Sequence, residues 1–247
     1  MKIIKILGLT IVTLAILFTN TACGENSEPE NTQNQSAIEE QYIIPLQFKD
    51  VVIENNITHI NEDKIQEIIK QHNVGDNKFI IFIHKEDKED FHSGVIINKK
   101  IYDFGKVSML IEKNNSDLYS IEEVKLFGIN SVKIQGAMGS NYALTNYYFI
   151  DNDLPQTLLR AEGHTEELDL DKDGMQEVVS SVVAGATSFI NIYEYDNGKL
   201  TVSNLNEALD AITVIIKDGK VFEAYFEYLP NQLKQYEYLH KKLIEIK

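Results

Sequence analysis

From residue 130 onward the chain is a series of short β-branched and aromatic runs divided by residues that turn the backbone. Residues 132–135, 147–150, 157–160, 177–183 and 189–195 are each short, apolar and bounded by turn signals, and read as strands. Asn197-Gly198 and Asp218-Gly219 supply the positive φ angles that two-residue hairpins require, so each closes a hairpin. Residues 193–200 (YEYDNGKL) and 236–243 (YEYLHKKL) agree at five of eight places. That likeness makes the C-terminal tail a hairpin, although its leucines and lysines would also suit a helix. Residues 130–247 are therefore expected to form a mostly antiparallel β region.

Residues 42–129 look different. Asn61-Glu62-Asp63 carries a capping residue and acids for a first helical turn. Ile65, Ile68 and Ile69 then fall on one helical face, and Asn73-Val74-Gly75 would end the helix. Residues 79–84 (FIIFIH) read as a buried strand, and 94–105 as a hairpin turning near Asn98-Lys99-Lys100. A second short helix is expected over 120–127. The fold class this implies is α+β, a mixed N-terminal region followed by the mostly antiparallel β region.

The N-terminus sets the chain's address. Lys2 and Lys5 precede a 13-residue apolar run, residues 6–18, and Thr21-Ala22-Cys23-Gly24 follows. A helix needs about 20 apolar residues to cross a bilayer core, so the run is a signal h-region rather than a span. Residues 1–24 resemble a bacterial lipoprotein signal with its lipobox, with Asn20 standing where that family favours leucine. The resemblance implies removal of residues 1–22, a diacylglyceryl thioether on Cys23, and anchoring to the outer face of a cell membrane. Heavy use of Ile, Lys and Asn beside sparse Ala and Arg suits an AT-rich, Gram-positive source. Residues 24–41 hold almost nothing apolar and read as a flexible tether, so residues 23–41 form a lipidated linker.

Cys23 is the only cysteine, so the exported fold has no internal disulfide and must rest on its core or on a metal. The precursor carries a formal charge of −15, and Arg160 is the one arginine. No basic footprint for nucleic acid is present.

One segment carries metal chemistry. Asp169-Leu170-Asp171-Lys172-Asp173-Gly174-Met175-Gln176-Glu177 puts acids at positions 1, 3, 5 and 9. Calcium takes six to eight oxygens at about 2.4 Å, and alternating carboxylates on a curled loop converge on one point. Gly174 allows the sharp turn, Leu170 can plug the core, and the Met175 carbonyl lies at the neutral position 7. An EF-hand would need an acid at position 12 and a helix after it; Ser180 and a β-branched run stand there instead. The loop resembles the DxDxDGxxD/E calcium loop of FG-GAP repeats, found in integrin propellers and bacterial surface proteins, which also runs into a strand. The Phe-Gly and Gly-Ala-Pro elements of that family are absent and only one loop occurs. The resemblance implies Asp169, Asp171, Asp173, the Met175 carbonyl and Glu177 as ligands of one structural Ca²⁺.

No other constellation converges in sequence. The six histidines form no zinc-ligand pair, and neither a GxSxG nor a P-loop occurs. His84 and His92 flank an acid-rich loop, residues 85–91, that reads as a solvated hairpin end. Gly136 to Ser140 reads as a small-residue turn. The function expected is a non-enzymatic binding or assembly module at the cell surface, with a protein or cell-wall ligand. The alternatives are a cell-envelope hydrolase using a carboxylate pair and an accessory or inhibitory lipoprotein of a membrane enzyme or receptor.

Overall fold

The computed structural model describes residues 42–109, 116–139, 141–196, 198–229 and 232–246. The signal segment 1–22, Cys23 and the tether lie outside the described residues.

The chain enters along an extended strap with three short strands: β1 (Ile43–Pro45), β2 (Lys49–Asp50) and β3 (Thr58–Ile60). Four meanders follow. The first is β4 (Ile65–Val74), β5 (Asn77–His84), β6 (Asp87–Ile97) and β7 (Lys100–Met109). The second is β8 (Tyr119–Leu126), β9 (Ile129–Gly139), β10 (Tyr142–Asp151) and β11 (Leu154–Glu162). The third is β12 (His164–Leu168), β13 (Glu177–Ala184), β14 (Thr187–Asp196) and β15 (Lys199–Asn204). A five-residue helix α1 (Leu205–Leu209), capped by the Asn204 side chain, leads to the fourth. That last sheet is β16 (Thr213–Lys217), β17 (Val221–Tyr225), β18 (Leu233–Tyr238) and β19 (Lys242–Ile246). All strand pairings are antiparallel.

The expected α+β class is therefore wrong: the described chain is nearly all β, and α1 is its one α-helix. The helix expected after Asn61 is a single 3₁₀ turn, Glu62–Lys64, running into β4. Two β-bulges in β4 explain the error. The register slips between Ile65 and Glu67 and again between Ile68 and Lys70. Each bulge adds a residue to one strand, so a spacing of three can return side chains to one face as it would in a helix. The second expected helix, 120–127, is β8, where Tyr119 and Ile121 alternate inward as in a half-buried strand. Residues 129 and 130 form the start of β9, inside the second sheet. The C-terminal tail is the β18–β19 hairpin, and residues 79–84 are the buried core of β5.

The sheets pack in succession, with one apolar core at each junction. Phe79, Ile81, Val95 and Phe104 of the first sheet meet Tyr119, Ile134 and Tyr148 of the second. Leu126, Tyr147 and Leu159 of the second meet Val178, Tyr193 and Leu200 of the third. Val179, Ile190 and Ile192 of the third meet Val214, Phe222, Tyr236 and Leu243 of the fourth. None of these clusters joins the first sheet to the fourth among the described residues.

The strap crosses all four sheets on the same side, beside the last strand of each meander. β1 pairs with β19, β2 with β15, and β3 with β7. At the second sheet, Asn55 Nδ2 donates to Gln156 and Thr157 Oγ1 donates to Asn55 Oδ1, both on β11. The strap also gives each core an apolar side chain: Leu46 at the third junction, Val51 at the second and Ile57 at the first. Exposed strand edges template unwanted pairing, and this arrangement covers one edge in three of the four sheets.

The last hairpin of each meander turns in two residues. Asn98 and Lys99, Asn152 and Asp153, and His240 and Lys241 all have positive φ, the geometry that lets a two-residue turn match strand twist. Gly198 also has positive φ in the equivalent place of the third sheet. The two matching sequence segments, 193–200 and 236–243, are thus the third-to-fourth hairpins of neighbouring sheets.

Gly136 and Gly139 lie within β9 rather than in a turn. A Cβ on Gly136 would sit 2.3 Å from Val107 O and 2.7 Å from Ser108 Cβ. The missing side chain lets the backbones of β7 and β9 touch, so the close approach there is between two sheets.

Candidate metal centre

The acid-rich loop joins β12 to β13, the first two strands of the third sheet. Leu170 is 6 % exposed and plugs the core between the third and fourth sheets, which anchors the loop's start. Lys172 takes φ +65° and Gly174 φ +90°, so the backbone curls twice toward its own carboxylates. Lys172 is exposed.

The curl brings one carboxylate oxygen each from Asp169, Asp171 and Glu177 within 4.8 Å of one another. The loop's own amides hold these acids in place. Leu170 N–H donates to Glu177 Oε2 at 2.9 Å, and Gly174 N–H donates to Asp169 Oδ2 at 3.3 Å. Asp173 N–H donates to Asp171 Oδ1 at 3.2 Å. Asp169 Oδ1 is shut away from solvent and accepts no hydrogen bond, which is costly for a carboxylate unless something else satisfies it. Asp173 is exposed and accepts from Met175 N–H at 2.7 Å, outside the converging trio. Met175 is also exposed, at 39 %. The donor set is hard oxygen only, which suits calcium or magnesium over softer transition metals.

The loop opens into a cleft of about 230 Å³ whose far walls come from other hairpins. Glu194 and Asp196 reach it from the end of β14, and His240 and Lys241 from the β18–β19 turn. Phe127 and Tyr195 stack at 5.7 Å along its side. His240 Nδ1 lies 2.7 Å from Asp171 Oδ2. Lys241 Nζ lies 2.5 Å from Asp196 Oδ2 and 3.6 Å from Glu194 Oε2. Burial first, then neighbouring carboxylates including Asp171, push Glu177 up to about 7. Burial likewise pushes Glu194 up to about 7 against the pull of Lys241. Both shifts come chiefly from burial, and neighbouring carboxylates add to them.

Sequence reasoning missed Glu194, Asp196, His240 and Lys241. The signal was present in the five-of-eight match between residues 193–200 and 236–243, since both segments end at this cleft. Read as equivalent hairpins of adjacent sheets, they would have placed Glu194 and Lys241 at one end of the stack.

A second charged network lies in the first sheet. His92, 9 % exposed, stands between two carboxylates: Nδ1 is 3.0 Å from Asp103 Oδ2, and Nε2 is 3.4 Å from Asp87 Oδ2. The His84 ring stacks on it at 5.2 Å, and Lys106 reaches Asp87 and Asp90 at 3.0 and 2.6 Å. Within the acid-rich hairpin end, Asp87 and Asp90 are thus pinned, while Lys85, Glu86, Lys88 and Glu89 are exposed. Burial alone would lower the His92 pKa; Asp103 and then Asp87 outweigh it and hold it above the ordinary 6.5. A raised histidine pKa stabilises the fold fully below 6.5, and that share is lost as pH rises through the folded value. Stability is therefore expected to fall above pH 6.5 in denaturant titrations. His92→Leu, which strips Asp103 of its charged partner, should flatten that fall and cost about 3 kcal/mol.

No family model, curated protein or solved structure matches this chain.

Proposed function

We propose that this chain is a lipid-anchored, extracytoplasmic binding module whose stacked sheets are braced by one structural calcium ion. The observation that carries the reading is the convergence of Asp169, Asp171 and Glu177 within 4.8 Å on a loop locked by its own amides. The loop's likeness to FG-GAP calcium loops supports the choice of ion, and the signal-like N-terminus ending at Cys23 supports the location. Asp173 and the Met175 carbonyl are carried over as ligands from that likeness and would complete an all-oxygen shell. Extracellular calcium modules work at dissociation constants of about 10⁻⁴ to 10⁻³ M, matched to ion levels outside a cell. The ligand at the surface is a protein or a cell-wall polymer, and the membrane contact is the lipid on Cys23.

Isothermal titration should find one calcium per chain in that affinity range, with binding lost in Asp171→Ala and in Glu177→Gln. A flat titration of the wild-type protein refutes the ion. For the anchor, the wild-type protein should partition into detergent on phase separation, and Cys23→Ser should move it to the aqueous phase.

One observation favours a second reading, a carboxylate hydrolase. Glu177 and Glu194 share a cleft and both sit near 7, the poise of a general acid. The cleft, at about 230 Å³, is smaller than the roughly 300–1,000 Å³ of ligand pockets, and Glu177 is tied to the Leu170 amide. Turnover of cell-wall glycans that is lost in Glu194→Gln would favour the hydrolase.

A further inference from the structure

The same cleft holds basic groups that no calcium loop requires. They come from the β18–β19 turn of the neighbouring sheet, and each is spent on an acid of the cleft. His240 Nδ1 contacts Asp171 Oδ2 at 2.7 Å, on a carboxylate of the converging trio. Lys241 Nζ contacts Asp196 at 2.5 Å and lies 3.6 Å from Glu194. The turn is rigid at its base: both residues hold positive φ, and Leu239 and Lys242 exchange backbone hydrogen bonds at 2.9 and 3.1 Å. One oxygen remains outside this arrangement. Asp169 Oδ1 is buried without a hydrogen bond, so the turn's contacts leave one oxygen of the converging trio unsatisfied.

Lys241 also touches the strap. While on Asp196, its ammonium lies 5.6 Å from the centre of the Phe48 ring, a cation–π contact. Its carbonyl accepts from Leu46 N–H at 2.9 Å, next to β1. The turn is therefore shared between the acid cleft and the strap.

We infer that the His240–Lys241 turn is a tethered competitor for the cation: its basic side chains occupy the cleft acids until an ion displaces them, which sets calcium affinity and links ion binding to loosening of the turn and of the adjoining strap. This rests on the calcium reading above and deepens it. Calcium at Asp171 would take the oxygen that His240 Nδ1 contacts, and would stand as a second cation beside Lys241, held on the neighbouring acids Asp196 and Glu194, at mutual electrostatic cost. Calcium on Asp171 therefore works against His240 and Lys241, and by linkage they work equally against calcium.

The test is calcium titration by calorimetry of wild type, Lys241→Met and Lys241→Arg, with amide exchange of the wild type in calcium and in chelator. Lys241→Met should bind calcium about tenfold more tightly, while Lys241→Arg, which keeps the charge, should stay within about twofold of wild type. In wild type, calcium should speed exchange at Leu46 and at residues 239–242. Equal or weaker binding by Lys241→Met overturns the inference while the calcium reading stands. Slower exchange at Leu46 and the turn in calcium overturns it as well, and needs no variant that must fold. Wild-type protein that binds no calcium at all defeats the calcium reading first and this inference with it.

Discussion

Calcium at about a hundredfold excess over its dissociation constant should stabilise the fold by about 2.7 kcal/mol, as expected for a ligand that binds only the folded chain. For a domain of this size that is a rise in melting temperature of roughly 5–10 °C by scanning calorimetry. Asp171→Ala should abolish the rise, because it removes a carboxylate of the converging trio. The rise should also depend on pH in a defined direction. Glu177 and Glu194 are pushed from the ordinary 4.5 up to about 7, so without metal they favour the folded state below pH 4.5. That contribution is lost as pH rises through about 7, because the folded state then has to hold anions it binds poorly. Calcium prefers those anions. The gap between calcium and chelator should thus be small at pH 5 and widen by pH 8. A gap that is equal at both, or that survives Asp171→Ala, contradicts a carboxylate site at this loop.

Gly136→Val should be among the most damaging single changes outside the cores. The new Cβ would lie 2.3 Å from Val107 O, and backbone cannot swing aside as a flexible side chain can. The first and second sheets would have to separate along β7 and β9, where Ser108 Oγ also donates to Ala137 O at 2.7 Å. A loss of about 4 kcal/mol or more by urea titration is expected, in the range of exceptional single-site effects. Gly139→Ala is the control. Its added Cβ would meet nothing within 4 Å, and only its φ of +149° opposes it, so its cost should be well under half as large. Comparable losses at both sites would mean that the sheets do not meet at Gly136.

Much of the strand pattern was legible. β5, β9, β10, β11, β13 and β14 all contain runs that the sequence marks by β-branched and aromatic content. Hairpins at Asn98-Lys99 and Asp218-Gly219 were legible from turn chemistry. The helices were misread because bulges break the period-2 rule locally. In β4 a bulge spends one residue, so Ile65 and Ile68 mimic a helical face while lying in a strand. The four-sheet succession was hidden for another reason. Equivalent hairpins share conformation, but positive φ is met by Asn-Lys, Asn-Asp and His-Lys alike, so identity between them is low. Within the candidate centre, the loop was legible because its ligands are contiguous. Glu194 and Lys241 arrive from the end of β14 and from the β18–β19 turn of the next sheet, and the packing of the two sheets brings them in.

The pairing of β1 with β19 sets a condition on when the molecule can be completed. Among the described strands the first to leave the ribosome, β1, has its partner at Lys242–Ile246, nearly 200 residues later. Local meanders can form as they emerge, since each is built from neighbouring hairpins. β3 can dock on β7 and β2 on β15 as those strands appear, but β1 cannot settle until the last hairpin exists, and closing so long a loop is slow. A chain stalled before residue 242 would hold most of its sheets but leave β1 and one side of β18 unpaired, which makes it a natural substrate for proteases or chaperones.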